Sequence, residues 1–499
     1  MKNIRISANT ILLACLSLAV MSCSKSNPGG GGGGGNNNNN GGTTGNTGGT
    51  TTVKSDVSEW LTLPDQSQLL SKQNVALNFS TATNSNTTIT VDTTTTYQSI
   101  DGFGFALTDG SAQVINEMTS SSNSTLIKDL FATDSTGIGI SYIRITIGAS
   151  DMGATTFTYD DMPAGSTDPN LTNFSISPDQ TDLIPTIKKI LALNPNIKIL
   201  ACPWTAPVWM KQNTIGNGGF EGGTLNPAYY QAYANYFVKY IQAMAAAGIE
   251  ITAVTAQNEP LNAYNTPAMV MQDTAEAVFI GKYLGPAFQS AGITTKIICY
   301  DHNCDRPDYP VYVLNDNTAN PYVDGSAFHL YAGDISALST VHNAYPNKNL
   351  YFTEQYTPST SSFSDNLSWH IENLIVGATR NWSKNVLEWN LATDANYGPH
   401  TTGGCSTCMG AVTVSSSSYV RNASYYIIAH ASKFVKPGAV RIASDASTTL
   451  YNVAFKNVDG SKVLIMINST STPQTFNIKF NSKIVTSTLA AGAVATYTW

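Results

Sequence analysis

Residues 251–260 of this 499-residue chain read ITAVTAQNEP, a short apolar strand that ends in an amide, a carboxylate and a proline. Seven further segments are also short apolar runs that predict strands. The eight predicted strands are 102–107, 142–147, 197–201, 251–256, 296–300, 325–330, 350–353 and 386–389. Helix-like stretches between them include 181–193, 227–247, 274–290 and 365–379. Eight strand–helix alternations over roughly 300 residues predict a (β/α)8 barrel, a fold that typically takes about 250 residues.

A doubly wound α/β sheet is the alternative, but no glycine-rich phosphate loop follows any of these strands, which favours the barrel. Residues 55–97 are rich in Thr and alternate in polarity, as short strands do. After the turn signal KPG at 436–438, alternating runs such as KVLIMIN at 462–468 continue to the last residue. The predicted fold class is therefore α/β, a (β/α)8 TIM barrel with an accessory β-sandwich formed by the N-terminal strands and the C-terminal region.

The N-terminus indicates where the protein works. Lys2 and Arg5 precede a short apolar run at 11–20, which is too short to span a bilayer and is typical of a secretory signal. The string VMSC at 20–23 is similar to the lipobox of bacterial lipoproteins, which predicts lipidation of Cys23; ordinary cleavage beside a chance cysteine is the alternative. We therefore expect an extracytoplasmic protein, lipid-anchored to a bacterial membrane at the cell surface or the periplasmic face.

The chain divides into five predicted segments. A Gly-, Asn- and Thr-rich tract has nothing to bury and is expected to be a flexible tether. The segments are a lipoprotein signal peptide at 1–22, the tether at 23–54, N-terminal sandwich strands at 55–97, the catalytic barrel at 98–434 and the C-terminal β-sandwich at 435–499.

The amino-acid composition excludes several classes of protein. Charged residues are 12% of the chain, about half of the ~25% typical of soluble domains, and the net charge is -7. Phosphate recognition needs a basic surface, so a nucleic-acid partner is excluded. No apolar run of about 18 residues follows the N-terminal segment, which excludes a polytopic membrane protein. The 24 Tyr, 17 Phe and 7 Trp supply a core that a disordered chain lacks.

Five cysteines lie beyond the N-terminal segment. Cys299 and Cys304 form one close pair, Cys405 and Cys408 form another, and Cys202 stands alone. Two spaced pairs are compatible with a four-thiolate zinc site, but in an oxidising compartment loop disulfides are the favoured interpretation. The six His show no metal-ligand spacing, so we expect no catalytic metal and no cofactor.

Active sites of (β/α)8 barrels are built at the C-terminal ends of the strands. Here those ends carry acids, amides and indoles, and such groups bind sugars: indole faces stack on C–H faces, and carboxylates and amides bind hydroxyls. The substrate-binding candidates are Asp109, Trp204, Asn258, His329, Tyr331 and Trp389, with Tyr264 and His400 in the loops after strands four and eight.

Glu259 and Glu354 follow strands four and seven and are the candidates for catalysis. Glycosidic cleavage requires a protonated acid for the leaving oxygen and a second carboxylate at the anomeric carbon. A neighbouring carboxylate raises the pKa of the acid, and this effect ends when that carboxylate becomes a glycosyl ester. We therefore expect Glu354 to be the nucleophile and Glu259 the acid/base, with carboxyl groups about 5–5.5 Å apart, the retaining geometry.

Each candidate also has a purely structural interpretation. A single strand-end Glu is commonly a helix cap or a surface group, although two at catalytic strand ends favour catalysis. His329 and Tyr331 share one strand face and form a core pair in the alternative interpretation, as Trp204 and Trp389 do as packing residues. Arg144 lies in an apolar strand, where an unpaired charge is costly, so we expect it to hold a catalytic carboxylate; a structural salt bridge is the alternative.

Seven segments resemble glycoside hydrolase family 30, in that family's order. They are QSIDGFGFALTD (98–109), ACPWTAPVW (201–209), TAQNEP (255–260), FHLY (328–331), FTE (352–354), WNLA (389–392) and HASKF (430–434). The resemblance runs from about residue 97 to the end of the chain. It is nearest to the branch of lysosomal glucosylceramidase, bacterial β-glucosidases and β-1,6-glucanases.

The resemblance implies a retaining double displacement, with the acid/base on Glu259 and the nucleophile on Glu354. The glucose-binding positions that it implies are Asp109, Trp204, Asn258, His329, Tyr331 and Trp389. It also implies a barrel with a β-sandwich built from both chain ends.

Two departures from glucosylceramidase concern the rim where the leaving group lies. Leu330 replaces a Trp, and the chain after strand eight runs through Gly398-Pro399-His400 into the loop of Cys405 and Cys408. We therefore expect a monomeric hydrolase of β-glucosidic bonds in β-1,6-glucan or gluco-oligosaccharides. An exo-acting β-glucosidase or glucosylceramidase is one alternative. A non-catalytic glycan-binding lipoprotein is an alternative of another class.

Overall fold

The computed structural model describes residues 54–499. The signal peptide predicted over 1–22, the predicted lipidation site Cys23 and the predicted tether up to residue 53 lie outside the described residues. Within residues 54–499, no helix combines the length and the apolar character that crossing a bilayer requires.

The strands are numbered in chain order. They are β1 (Ser58–Thr62), β2 (Ser71–Lys72), β3 (Thr87–Ser99), β4 (Gly102–Ala106), β5 (Tyr142–Thr146), β6 (Lys198–Cys202), β7 (Lys211–Gly216), β8 (Glu221–Leu225), β9 (Ala253–Thr255), β10 (Lys296–Cys304), β11 (Val323–Gly333), β12 (Asn349–Glu354), β13 (Thr357–Pro358), β14 (Ser383–Asn390), β15 (Ala392–Thr393), β16 (Cys408–Met409), β17 (Val412–Val414), β18 (Tyr419–Arg421), β19 (Val440–Ser444), β20 (Leu450–Lys456), β21 (Lys462–Asn468), β22 (Gln474–Phe480), β23 (Lys483–Leu489) and β24 (Val494–Thr498).

The helices alternate with the barrel strands and are also numbered in chain order. They are α1 (Asp109–Asn116), α2 (Ser120–Phe131), α3 (Leu183–Leu193), α4 (Tyr230–Ala246), α5 (Asp273–Phe279), α6 (Gly285–Ala291), α7 (Asp308–Asn315), α8 (Ala337–Ala344), α9 (Phe363–His370) and α10 (Ala423–Ser432). Two π-helical segments, Ile280–Leu284 and Ile371–Ala378, continue α5 and α9. Short 3-10 turns lie at Ser177–Gln180, Val208–Met210, Asn217–Gly219, Pro227–Tyr229 and Asn320–Tyr322.

Eight parallel strands close into a barrel in the order β4, β5, β6, β9, β10, β11, β12 and β14. Each overlaps one of the eight strands predicted from the sequence, so the predicted barrel is confirmed. The strands are buried on both faces, which explains why they read as almost continuous apolar runs. A Cβ on Gly104 of β4 would lie 1.9 Å from the carbonyl oxygen of Tyr142 on β5, so this close approach requires glycine.

The interior of the barrel is layered because alternate residues of a strand share one face. The lower layer is apolar and consists of Tyr142, Leu200, Ala253, Ile298, Ala327, Tyr351 and Leu387. Two residues farther along, six of these strands carry the buried side chains Arg144, Cys202, Thr255, His329, Thr353 and Trp389. The apolar layer is therefore the floor beneath a largely polar layer at the C-terminal mouth.

Strand β10 reaches the same polar layer through an irregularity. Tyr300 and Asp301 have φ values of 75° and 68°, and the pairing register with β11 shifts between Tyr300 and His302. Each such left-handed residue costs of order 1–3 kcal/mol. The positive φ values at these two residues interrupt the alternation of the strand. Tyr300 therefore packs against Phe328 and Tyr309 outside the barrel, and Asp301 contacts side chains inside it.

The second core belongs to a nine-stranded sheet with the order β2-β1-β24-β21-β20-β19-β3-β22-β23. Strand β3 pairs with β22 through residues 87–91 and with β19 through residues 91–99, so it joins the two halves of the sheet. Apolar side chains from both halves share one core, among them Leu464 and Ala495 on one side and Phe476 and Val485 on the other. The predicted sandwich of N-terminal and C-terminal strands is thus confirmed.

His430 of α10 connects the barrel to this sheet. Its Nδ1 lies 2.9 Å from Thr496 Oγ1 on β24, and its Nε2 lies 2.8 Å from Thr62 Oγ1 on β1. The Thr496 hydroxyl donates to the His430 carbonyl, so it accepts from Nδ1–H, and the neutral tautomer follows from this network. Burial lowers the pKa of His430 to about 3.

This buried neutral imidazole makes stability depend on pH. The folded-state pKa lies below the unfolded value of about 6.5, so the unfolded chain binds more protons as pH falls between these values, and the free energy of unfolding decreases. We expect the free-energy penalty of His430→Gln to shrink by about 2 kcal/mol between pH 7.5 and pH 5. Denaturant unfolding of both proteins at both pH values measures this penalty. A penalty that is equal at both pH values would contradict the assignment.

Candidate active site

A cavity of about 460 Å³ opens at the C-terminal ends of the barrel strands. It contains both predicted catalytic carboxylates, and its polar side chains come from six of the barrel strands or from the loops that follow them. Its lining residues are Asp151, Glu259, Leu261, Asn262, Asn265, His302, Asn303, Tyr331, Glu354, Tyr356, Trp389, Cys405 and Cys408.

Glu354 ends strand β12 and is almost fully buried. Its Oε2 accepts a hydrogen bond from Arg144 Nη1 at 2.5 Å, and its Oε1 accepts one from the Tyr331 hydroxyl at 2.9 Å. Burial raises the pKa of Glu354, while the positive charges of His329 and Arg144 act in the opposite direction. The two donors orient a carboxylate whose Oε1 faces the cavity.

Arg144 on β5 is fully buried, and its guanidinium holds three side chains. Nη2 donates to Asp301 Oδ2 at 2.8 Å and to Asn258 Oδ1 at 2.6 Å, in addition to the contact of Nη1 with Glu354. The guanidinium carbon lies 4.8 Å from the ring centroid of Trp204, a cation–π distance. Arg144 therefore contacts the catalytic carboxylate that it was predicted to hold and also forms a structural ion pair.

Glu259 follows β9 in a strained turn, with φ at 43° and its N–H donating to the Asp301 carbonyl at 3.0 Å. Oε2 accepts from Asn262 Nδ2 at 2.8 Å, and Oε1 lies 3.3 Å from His329 Nδ1. Burial alone would raise the pKa of Glu259. The hydrogen bond and positive charge of His329 outweigh burial and lower this pKa to about 2.

His329 lies between the two predicted catalytic carboxylates, Glu259 and Glu354. Its Nδ1 is 3.3 Å from Glu259 Oε1 and 3.8 Å from Glu354 Oε1, and its Nε2 is 3.1 Å from Asp301 Oδ1. Burial would lower the pKa of His329, but the surrounding carboxylates raise it to about 9. These opposite shifts of pKa favour the imidazole of His329 over the carboxylate of Glu259 as the carrier of the proton between them.

Two acids of the site were not among the predicted candidates. Asp301 is fully buried, and the charge of Arg144 outweighs its burial and holds its pKa well below the usual range. Asp151 lines the cavity, and burial together with repulsion from Glu354 raises its pKa to about 7. Asp301 directly follows predicted strand five, and Asp151 lies four residues beyond predicted strand two, so a search of all eight strand ends and the loops after them would have found both.

The remaining predicted residues lie at different depths. Trp389 lines the cavity, and Trp204 is buried against it with ring centroids 5.4 Å apart. Tyr264 is 83% exposed in the loop whose neighbouring residues line the cavity. His400 is partly exposed; its Nδ1 is 3.0 Å from the Thr401 carbonyl oxygen, and it is not among the lining residues.

Asp109 lies outside the cavity that holds the two Glu. Its carboxylate accepts a hydrogen bond from Ser150 Oγ at 3.3 Å and lines a separate cavity with Gln113, Asp179 and Asp182. Burial raises the pKa of Asp109 to about 8. Among residues 54–499, no hydrogen bond joins Asp109 to another predicted sugar-binding residue.

The cysteines divide into two cases. Cys405 and Cys408 form a disulfide, which confirms the expectation for that pair, and both line the cavity. The expectation is wrong for Cys299 and Cys304, which are free, buried thiols. Both lie on β10, where Cys299 is paired with Ser326 and Cys304 with Gly333 of the neighbouring strand β11.

Among residues 54–499, one group of side chains has metal-ligand geometry. Ligand atoms of Glu259, His302 and His329 all lie within 4.8 Å of one another. The spacing of the His along the sequence gave no sign of this group, because β9, β10 and β11 bring the three residues together only in the barrel.

Both parts of the fold match domain models of one protein family. Residues 100–435 match the glycosyl hydrolase family 30 TIM-barrel domain, and residues 438–497 match the family 30 beta sandwich domain. The chain belongs to glycoside hydrolase family 30. An endo-1,6-beta-D-glucanase of Aspergillus fumigatus is 38% identical over 406 residues, which are 76% of this chain and 81% of that protein.

A solved structure and a second relative are also similar to this chain. The solved structure of the endo-beta1,6-glucanase BT3312 is 37% identical, covers 89% of this chain and 99% of its own, and superposes with a TM-score of 0.82. The lysosomal acid glucosylceramidase of Mus musculus is 30% identical over 429 residues, 81% of this chain and 81% of that protein.

Two ion pairs of equal length test how this family 30 barrel depends on its buried charges. Arg144–Asp301 and Arg306–Asp308 both have N···O distances of 2.8 Å, but only the first is buried. We expect Asp301→Asn to lower the free energy of unfolding by about 3–5 kcal/mol, because an uncompensated buried charge remains. The control Asp308→Asn should cost less than about 1 kcal/mol. Urea unfolding measures both, and equal losses would contradict the argument.

Proposed function

We propose that this protein hydrolyses β-1,6-linked glucan or related gluco-oligosaccharides by a retaining double displacement. The observation that carries the proposal is the pair Glu259 and Glu354, whose Oε1 atoms both approach His329 Nδ1, at 3.3 and 3.8 Å. Family membership and the 38% identity to endo-1,6-beta-D-glucanases support this substrate class.

In the first half of the reaction, Glu354 attacks the anomeric carbon and forms a glycosyl ester as the bond to the leaving oxygen breaks. Arg144 and Tyr331 orient the attacking carboxylate. The proton of the Glu259–His329 pair passes through Glu259 Oε1 to the leaving oxygen, which departs as a hydroxyl.

The second half returns the enzyme to its starting state. The glycosyl ester has removed the negative charge of Glu354, which lies 3.8 Å from His329, so the pKa of the Glu259–His329 pair falls. Glu259 then accepts a proton from water, and the resulting hydroxide equivalent attacks the anomeric carbon and releases Glu354. Two inversions leave the product with the β configuration.

The rim of the cavity favours a sugar as the leaving group over a lipid. Asn262, Asn265 and Asn303 line it, and amides suit hydroxyl groups. An alkyl chain would instead gain from a broad apolar surface, and Leu261 is the one aliphatic side chain among the lining residues. This supports a glucan over a glucosylceramide, and the catalytic constellation supports an enzyme over a non-catalytic glycan-binding protein.

Digestion of β-1,6-glucan tests the proposal. We expect the first products to form a ladder of β-1,6-linked oligomers by endo cleavage, and proton NMR to detect the β anomer first. Glu354→Gln should lose roughly 1,000-fold or more in kcat/KM because the nucleophile is gone. Glu388→Gln is the matched control: this buried Glu of β14 bonds to His370 and Thr357 and does not line the cavity.

Three outcomes would contradict parts of this proposal. Normal turnover by Glu354→Gln would overturn the mechanism. Glucose as the sole early product would replace endo cleavage with the exo-acting alternative. Hydrolysis of glucosylceramide in place of glucan would overturn the substrate class.

We further propose that the protein is a monomer held at the extracytoplasmic face of a bacterial membrane by a lipid on Cys23. The VMSC string at 20–23 and the preceding apolar run support this proposal. Expression in a bacterium with labelled palmitate should label the wild-type protein and leave Cys23→Ala unlabelled and in the soluble fraction. Labelling of both proteins would contradict lipidation at Cys23, and a dimer mass by light scattering would contradict the monomer.

A further inference from the structure

We propose that Glu259, His302 and His329 form a binding site for a divalent transition-metal cation such as Zn²⁺, and that metal binding and glycoside cleavage exclude each other. One ligand atom from each residue lies within 4.8 Å of the others. Two His and one Glu, with a further position open to a cavity, form a donor set that binds Zn²⁺ in proteins. The mutual exclusion rests on the acid/base role proposed above for Glu259.

One carboxylate oxygen faces two imidazole nitrogens. Glu259 Oε1 lies 3.3 Å from His329 Nδ1 and 3.8 Å from His302 Nδ1. Zinc takes N and O ligands at about 2.0–2.2 Å, so a small side-chain rotation of His302 brings all three atoms within reach of one ion. His302 and His329 lie on the neighbouring strands β10 and β11, and the N–H of Glu259, in the turn after β9, donates to the Asp301 carbonyl of β10 at 3.0 Å, which fixes the three backbones relative to one another.

His302 supplies an observation that is independent of catalysis. Its side chain lines the cavity and is 9% exposed, yet its Nδ1 has no hydrogen-bond partner among residues 54–499. A buried ring nitrogen without a partner costs free energy. The double displacement does not use this nitrogen, whereas a cation bound beside Glu259 would occupy its lone pair.

Outer hydrogen bonds hold the other two ligands in place. Asp301 Oδ1 lies 3.1 Å from His329 Nε2, the carboxylate–histidine pairing that fixes ring orientation and raises ligand basicity in metal sites. Asn262 Nδ2 donates to Glu259 Oε2 at 2.8 Å and leaves Oε1 free to face the imidazoles. The site therefore has oriented ligands as well as suitable donors.

The donor types select among cations. Two imidazoles and one carboxylate suit Zn²⁺ or Cu²⁺, whereas Mg²⁺ and Ca²⁺ prefer all-oxygen shells. A cation on Glu259 Oε1 occupies the lone pair that must carry the proton to the leaving oxygen. Metal binding therefore blocks the acid step without any change in fold, and a chelator that removes the cation restores it.

The test uses wild-type protein treated with EDTA and then dialysed. Calorimetry with ZnCl₂ should show one Zn²⁺ bound per chain, and hydrolysis of a chromogenic β-glucoside should fall in proportion to occupancy. Activity should return on addition of EDTA, and MgCl₂ should neither bind nor inhibit. Absence of stoichiometric Zn²⁺ binding would overturn the site, and Zn²⁺ binding without inhibition would overturn the exclusion.

Matched variants locate the site. His302→Gln should weaken Zn²⁺ binding by at least about tenfold. His342→Gln changes a histidine on α8 that stacks on Trp382 and should bind Zn²⁺ like wild type. Co²⁺ should give the intense visible absorption of a low-coordinate site in wild type and lose it in His302→Gln. Equal Zn²⁺ affinity in wild type and His302→Gln would overturn the proposal. Calorimetry and Co²⁺ absorption need no turnover, so they stand even if the proposed glucanase activity fails.

Discussion

The buried guanidinium of Arg144 is the charge on which the mouth of the barrel depends. A charge removed from water costs several kcal/mol unless it is paired and hydrogen-bonded. Arg144 meets this requirement with Asp301 at 2.8 Å, Glu354 at 2.5 Å and Asn258 at 2.6 Å. The position of the proposed nucleophile is therefore fixed by the same contacts that make the buried charge tolerable. A loosely held Glu354 would leave Arg144 underpaired as well as misplacing the attacking oxygen.

From Arg144, charges of alternating sign extend across the site through Asp301 and His329 to Glu259. Each carboxylate in this series contacts a cation, and His329 also lies 3.8 Å from Glu354. A change in charge at one member therefore alters proton affinity at the next. Conversion of Glu354 to a neutral ester weakens the hold of His329 and Glu259 on their proton. In the proposed mechanism, this loss of charge converts the site from acid to base and requires no conformational change.

Strand periodicity predicts much of this arrangement of side chains, but it does not predict all of it. His329 and Trp389 lie at positions that strand periodicity predicts, because alternate residues share a face. Glu354 is identified only as the last residue of β12, next to the inward Thr353. Asp301 also follows a predicted strand, but its inward direction depends on positive φ at residues 300 and 301, which no periodicity encodes. Asp109 follows the first strand equally well, yet it begins helix α1 and bonds to Ser150 away from the two Glu. The local sequence pattern thus identifies where each strand ends, but not the direction of the backbone after that end.

The rim of the cavity is held together by different interactions from those of the polar layer beneath it. The segment around the Cys405–Cys408 disulfide links loops of several strands: Cys405 N–H donates to Asp151 Oδ2 at 3.3 Å, and the Thr407 carbonyl accepts from Ser359 N–H at 2.9 Å. These contacts are single hydrogen bonds that join loops distant in sequence, whereas the polar layer must neutralise a buried charge. Because Cys405 and Cys408 line the cavity beside the two Glu, we expect this disulfide-closed rim, and not the layer of charges, to govern linkage and chain-length preference.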